Sequence, residues 1–224
     1  MWIWTFITAN CREVRMVNID NVSVKYKKTV LTNVNITAGN GECIGLLGLN
    51  GSGKSTLLSA VSGIKKPASG KIYIEGKTGF VTQENALIDE LTAYDNILMW
   101  TSMKKDEILK ALNGPELSIL KVSDFINVRV RNMSGGMKKR LALASVIITG
   151  PDVLLMDEPL AALDIPAKSD ILKFIDAFKA KGGIVFIASH EAEVFDHCDK
   201  IYHLKDGKCT LVDKSRSVSE IIND

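Results

Sequence analysis

Between residues 48 and 56 the chain reads Gly48-Leu49-Asn50-Gly51-Ser52-Gly53-Lys54-Ser55-Thr56. Glycine reaches backbone conformations closed to other residues, at an entropic cost. Glycines set just before a lysine and two hydroxyls suit a loop that turns its amides inward onto an anion. The apolar run Cys43–Gly48 lacks alternation, as in a strand buried on both faces. Beyond Lys54, Leu57, Leu58 and Val61 have helical spacing. Strand, GxxxxGK followed by Ser or Thr, then helix is the phosphate-binding P-loop arrangement. The helix start lends its positive dipole end to the anion. Lys54 supplies a mobile charge for the outer phosphates, and Ser55 offers a hydroxyl to Mg2+.

Such a loop needs a second acid to place the metal. The run Val153–Pro159 ends an apolar strand with Asp157 and Glu158. An aspartate at the C-terminal edge of a parallel sheet can hold Mg2+ beside Ser55. Glu158, one residue further out, can orient and deprotonate an attacking water. A third segment, Met133–Ala144, carries Ser134 as an N-cap, with Gly135 and Gly136 leaving the first amides bare. Two readings stay open there. One is a second anion-binding terminus, which one ATP does not need from the same subunit, so that a site shared between two chains follows. The other is an ordinary capped helix with Lys138, Lys139 and Arg140 on a solvated face.

The elements around these residues alternate. Val17, Ile19, Val22, Val24 and Tyr26, then Leu31, Val34 and Ile36, have strand periodicity. Lys71–Gly76 and Gly79–Gln83 read as further strands. From about 84 to 134 the texture is helical, opening with a capping-box pattern at Thr92 and Asp95. Then follow a helix over Ser134–Ile148, a strand over Val153–Met156, a helix over Ala167–Ala180 and a strand over Ile184–Ala188. Unalternating strands between helices predict an α/β fold with a parallel sheet covered by helices.

With 224 residues, 46% of them apolar, and a net charge of +2, the chain can bury a real core and gives no sign of a nucleic-acid partner. Its 4 cysteines form no CxxC pair and read as reduced thiols. No apolar run reaches the roughly 17–25 residues of a membrane span. The apolar stretch Met1–Ala9 is followed, not preceded, by Arg12 and Arg15, unlike a secretory leader. The strand starting after Met16 favours Met16 as the true first residue over a docking extension or a cleaved leader, so residues 1–15 stand apart from a single domain over 16–224.

These motifs together resemble the ATP-binding cassette family, the ATPase subunits of ABC transporters. "GLNGSGKST" is similar to its Walker A motif and "VLLMDEP" to its Walker B. "MSGGM" resembles its signature, usually LSGGQ, and "LAALD", Leu160–Asp164, its D-loop. Gln83 resembles the Q-loop glutamine, His190 in "IASHE" the switch histidine after the last core strand, and Tyr26 the aromatic that stacks on adenine. His197 and His203 match nothing and read as structural or surface residues. The resemblance implies a P-loop NTPase with a mostly parallel RecA-like core sheet, an antiparallel β subdomain and an inserted α-helical subdomain. It implies ATP and Mg2+ as ligands, with Gly48, Asn50, Gly51, Ser52, Gly53, Lys54, Ser55 and Thr56 on the nucleotide. Ser134, Gly135 and Gly136 would cover the partner's ATP, and Asp164 would link two sites in a head-to-tail pair of cassettes. Glu158, His190 and Gln83 would be catalytic, with Ser55, Gln83 and Asp157 on the metal.

Met133 and Met137 depart from the usual Leu and Gln of the signature, whereas Ser134, Gly135 and Gly136 are intact. That form and the short segment after Lys208 point to an exporter-type system. Its membrane-spanning permeases would be separate chains, and the cassette would sit on the cytoplasmic face of the membrane. A soluble cassette ATPase acting on DNA or ribosomes is the alternative.

Overall fold

A computed structural model describes residues 15–84, 86–216 and 218–223. The expectations placed on residues 1–14 lie outside the described residues.

Two sheets frame the molecule. The first is antiparallel with order β2-β1-β4, built from β1 (Met16–Lys25), β2 (Thr29–Gly39) and β4 (Ser69–Ile74). The second has order β5-β6-β7-β3-β8-β9, from β3 (Cys43–Leu47), β5 (Thr78–Val81), β6 (Val153–Asp157), β7 (Ile184–Ser189), β8 (Lys200–Lys205) and β9 (Lys208–Val212). Its pairs are parallel except the β8–β9 hairpin at the edge. The expected architecture, a mostly parallel core sheet with an antiparallel β unit and inserted helices, is the one observed.

Every residue of β3, β6 and β7 is buried. Successive side chains on a strand point to opposite faces, and here the two faces feed two cores. Ile44, Leu46, Val153, Leu155, Ile184 and Phe186 pack with Val17, Ile19, Leu31 and Val34 of the antiparallel sheet and Leu57 and Leu58 of α1 (Lys54–Val61). Cys43, Leu47, Leu154, Met156, Val185 and Ile187 pack with α4 (Gly135–Ile147), α5 (Ile165–Ala180) and the segment between β5 and α4. That double burial explains the lack of alternation and fixes the C-terminal ends of β3 and β6 side by side with β7.

The segment between β5 and α4 holds α2 (Ala93–Leu98), α3 (Lys105–Leu112) and three short 3-10 turns within Leu117–Asn132. Thr92 caps α2 as its sequence pattern predicts: its Oγ1 accepts from Asp95 N at 3.2 Å, and Asp95 Oδ2 accepts from Thr92 N at 3.1 Å. After β7 come α6 (Ala192–Phe195), β8, β9 and α7 (Val218–Asn223).

Two readings need correction. Gln83 does not end a strand: β5 stops at Val81, and Gln83 lies in the bend beyond. Nor is β7 the last core strand. β8 follows and pairs with β3, carrying the buried His203 into the sheet.

Losing the N-cap oxygen of α2 typically costs about 1 kcal/mol. Thr92→Ala should therefore lower Tm by about 2–4 °C in a chain of this size. Hydrogen bonds from the Thr92 hydroxyl and amide hold the Asp95 carboxyl below the usual aspartate range. Such a group stabilises the fold fully above its unfolded value and loses that contribution as pH falls through the folded value. The Thr92→Ala deficit should narrow in acid, which thermal melts from neutral pH downward would measure.

Candidate nucleotide site

The loop from Gly48 to Gly53 joins β3 to α1, and close contact dictates its glycines. A Cβ on Gly48 would lie 2.5 Å from the Leu204 carbonyl oxygen of β8. Gly53 is the N-cap of α1 at φ 107°, and a Cβ there would meet Leu31 Cδ2 at 2.8 Å. No side chain caps α1 and no acid stands in its first turn, so its leading amides are left for an anion. Ser52 Oγ is buried with no hydrogen-bond partner among the described residues. An uncapped terminus behind a glycine cradle fits a phosphate chain.

Lys54 is buried, 6% exposed, and bends back along its own loop. Its Nζ donates to Gly48 O at 2.7 Å and Leu49 O at 3.3 Å, and lies 3.9 Å from Glu158 Oε1. Burial lowers its pKa, while Glu158 and Asp157 oppose that shift. The cation is thus held by weak acceptors that a phosphate can replace.

Asp157 ends β6 and lines the same cleft as Ser55. Burial raises the pKa of Asp157 and Glu158 adds to the rise, against the Ser55 hydroxyl and the charges of Lys54 and Lys139. A serine hydroxyl and a carboxylate are hard oxygen donors suited to Mg2+, which usually takes one or two carboxylates plus substrate phosphates.

Glu158 adopts φ +47°, a left-handed conformation that is strained for a side chain of its kind. Such strain persists where neighbours over-determine it. Here Glu158 N donates to Ala188 O at 2.9 Å, and Oε2 accepts from Ser189 Oγ at 3.3 Å. His190 Nδ1 lies 3.0 Å from the same oxygen, and its ring is largely exposed. The backbone twist aims the carboxylate back toward Lys54 and His190.

A cleft of about 350 Å³ collects Asn50, Gly51, Gly53, Lys54, Ser55, Thr56, Gln83, Asp157, Glu158 and His190, with Ala161. Of the sequence-predicted residues, Gly48 and Ser52 lie outside it, in and below the loop. Tyr26 is 54% exposed with Lys65 Nζ 4.2 Å from its ring centre and does not line the cleft. Ser134, Gly135, Gly136 and Asp164 do not line it either. Ser134 Oγ caps α4 by accepting from Met137 N at 3.2 Å, and Ser134 and Gly135 are exposed. A Cβ on Gly136 would lie 2.7 Å from that of Ala167, so α4 starts directly against α5. Asp164 Oδ1 accepts from Ala167 N at 2.9 Å as the N-cap of α5.

Sequence reasoning passed over two residues. Ser189 holds Glu158, although only its place beside His190 hinted at this. Lys139, set on a solvated face in one of the two readings of that helix, is 4% exposed. Its spacing of three from Gly136 and four from Leu143, both buried, was the available signal.

The ABC transporter family model matches residues 31–161, more than half of the chain. This chain belongs to the ABC transporter ATPases. It is 34% identical over 194 residues to the teichoic acids export ATP-binding protein TagH of Listeria innocua, covering 85% of this chain and 58% of that protein. The chain therefore spans little more than half of TagH. It is 33% identical over 218 residues to the probable sulfate/thiosulfate import ATP-binding protein CysA of Chlorella vulgaris, covering 90% of this chain and 92% of the other. A dimeric, post-hydrolysis structure of the cassette MJ0796 bound to ADP and Pi superposes with a TM-score of 0.78 at 29% identity, covering 90% and 99% of the two chains. ABC ATPases thus include both exporters and importers among the relatives of this chain.

Within this ABC ATPase, Gly53→Ala should fail twice over, through the left-handed backbone and through the clash with Leu31. The backbone term alone costs about 1–2 kcal/mol. A lowered thermal transition together with lost ADP binding by calorimetry is the expected result.

Proposed function

We propose that this ABC transporter ATP-binding subunit hydrolyses Mg2+–ATP to drive export through membrane-spanning subunits carried by other chains. The observation that carries the reading is the meeting of Lys54, Ser55, Asp157, Glu158 and His190 in one cleft beneath an uncapped helix start.

The phosphate chain of ATP lies along the amides of Gly51–Thr56, and Lys54 exchanges its loop carbonyls for the outer phosphates. Ser55, Asp157 and Gln83 would hold Mg2+, which when bound would supply neutralisation of the charge developing on the phosphates. Glu158 is the general base. Ser189, Lys54 and His190 surround its carboxylate, and His190 reaches from there toward the γ-phosphate. The start of α4, where Ser134 and Gly135 are exposed, does not line its own cleft and closes over the ATP of a second cassette. Asp164, at the start of α5 beside it, links the two sites. ATP favours the closed pair because it binds that state more tightly.

Among the described residues no helix is long and apolar enough to cross a membrane; the permeases of this reading are separate polypeptides, and the cassette sits peripherally on the cytoplasmic face. They dock in the apolar cleft of about 380 Å³ between core and inserted helices, lined by Ile64, Phe80, Leu87, Trp100 and Val146. Thr82 also lines it, so that docking reaches the turn that carries Gln83. Export rests on the Ser134–Leu141 form of the signature helix and on the likeness to TagH.

Removing a general base typically costs about 10²–10⁴ in rate. Glu158→Gln should therefore keep ATP binding and lose turnover to that extent; unchanged turnover removes Glu158 as the base. The same variant, tagged and recovered from native membranes with ATP, should bring a multi-span membrane protein in stoichiometric amount. Recovery of ribosomal proteins or nucleic acid instead would refute the transporter reading.

A further inference from the structure

Lys139 is a buried lysine that the phosphate site does not use. It lies on α4, one turn beyond the glycines of the signature, and lines neither the nucleotide cleft nor the apolar docking cleft. Its neighbours on that helix face, Gly136, Ala142 and Leu143, are buried too. A charge is kept in such a place only with partners. Lys139 Nζ donates to the carbonyl of Thr82 at 3.3 Å. Burial lowers its pKa, while the nearby Asp157 and Glu158 favour its charged form.

Thr82 is the residue before Gln83. Its hydroxyl donates to Glu84 O at 2.5 Å, closing a tight turn around Gln83. β5 anchors one side of that turn, since Val81 still pairs with Met156. Lys139 ties the other side to α4. One ammonium therefore ties the Gln83 turn to the helix whose N-terminus carries Ser134.

We propose that Lys139 is a positioning residue: it holds the Thr82–Glu84 turn so that Gln83 stands over Asp157, and it makes that turn move with α4. The inference rests on the reading of Gln83 as a metal ligand, but the restraint on the turn belongs to the chain without any ligand. The side-chain N–H donor to Thr82 O carries the role, so that a glutamine serves in place of the lysine and a methionine does not.

Two measurements on the intact chain test this. In nucleotide-free protein, hydrogen exchange of amides 82–84 should be faster in Lys139→Met and close to wild type in Lys139→Gln. In calorimetry, the Mg2+ concentration supporting ADP binding should rise about tenfold in Lys139→Met, the usual scale for losing a group that orients a metal ligand. Gln83→Ala should raise it similarly, and the double variant no further, because residues acting through one another are not additive. Unchanged exchange at 82–84, additive effects, or a Lys139→Gln chain that behaves like Lys139→Met would each overturn the proposal. Should Lys139→Met fail to fold, Lys139→Ala, which likewise removes the donor, takes its place in both measurements. A wild-type chain whose ADP binding ignored Mg2+ would refute the metal reading of Gln83 and leave the exchange result to judge the restraint.

Discussion

Two neighbouring carboxylates are buried at the end of β6, 5% exposed for Asp157 and 7% for Glu158. Like charges so placed repel, and burial penalises each of them. The arrangement persists because the positive charges of Lys54 from the loop and Lys139 from α4 favour the ionised carboxylate of Asp157. The surrounding fold brings these two lysines to one strand end. The same electrostatics explain why the site suits a ligand that arrives with its own divalent cation, since the charges are balanced before binding and rebalanced after it.

That placement depends on β3 and β6 being buried on both faces. Each contributes alternate side chains to two separate cores, so neither strand can slip by a residue without exposing one set and misplacing the other. The loop at Gly48 and the carboxylates at Asp157 thereby acquire fixed positions across the intervening β7, whose own continuation supplies Ser189 and His190. The strained backbone at Glu158 is sustained by this neighbourhood. Its amide, its carboxylate and the residue before it are all tied to the sheet.

The chemistry was legible in the sequence wherever it depends on spacing. The glycines, Lys54, the Asp157–Glu158 pair and the cap at Thr92 all sit within a few residues of what they act on. Features made by distant segments were hidden. Lys139 is local to a basic run, yet its burial comes from packing against the β5–β6 side of the sheet. Gln83 lies beyond its strand because Thr82 turns the chain toward Glu84, a hydrogen bond that composition does not announce. β8 sets Lys200, His203 and Lys205 among its apolar residues and ends in a hairpin, so its pairing with β3 appears only once the sheet is assembled. Ser134 and Asp164 form the reverse case. Locally they are ordinary helix caps, and their exposure on one side of the molecule gives meaning to the likeness with dimeric cassettes.

The central claim is that each catalytic centre joins the Lys54 cleft of one chain to the Ser134–Gly136 helix end of another. Mixing two defective chains tests it most directly. One carries Lys54→Ala with an intact signature, and the other carries Gly135→Trp, at the exposed signature glycine with open space beside it, and an intact loop. Each alone should be inactive in ATP hydrolysis. A mixture should regain turnover, because the mixed pair assembles one complete site from the sound halves. A mixture as inactive as its parents at every ratio would contradict the shared site and return the whole reaction to a single chain.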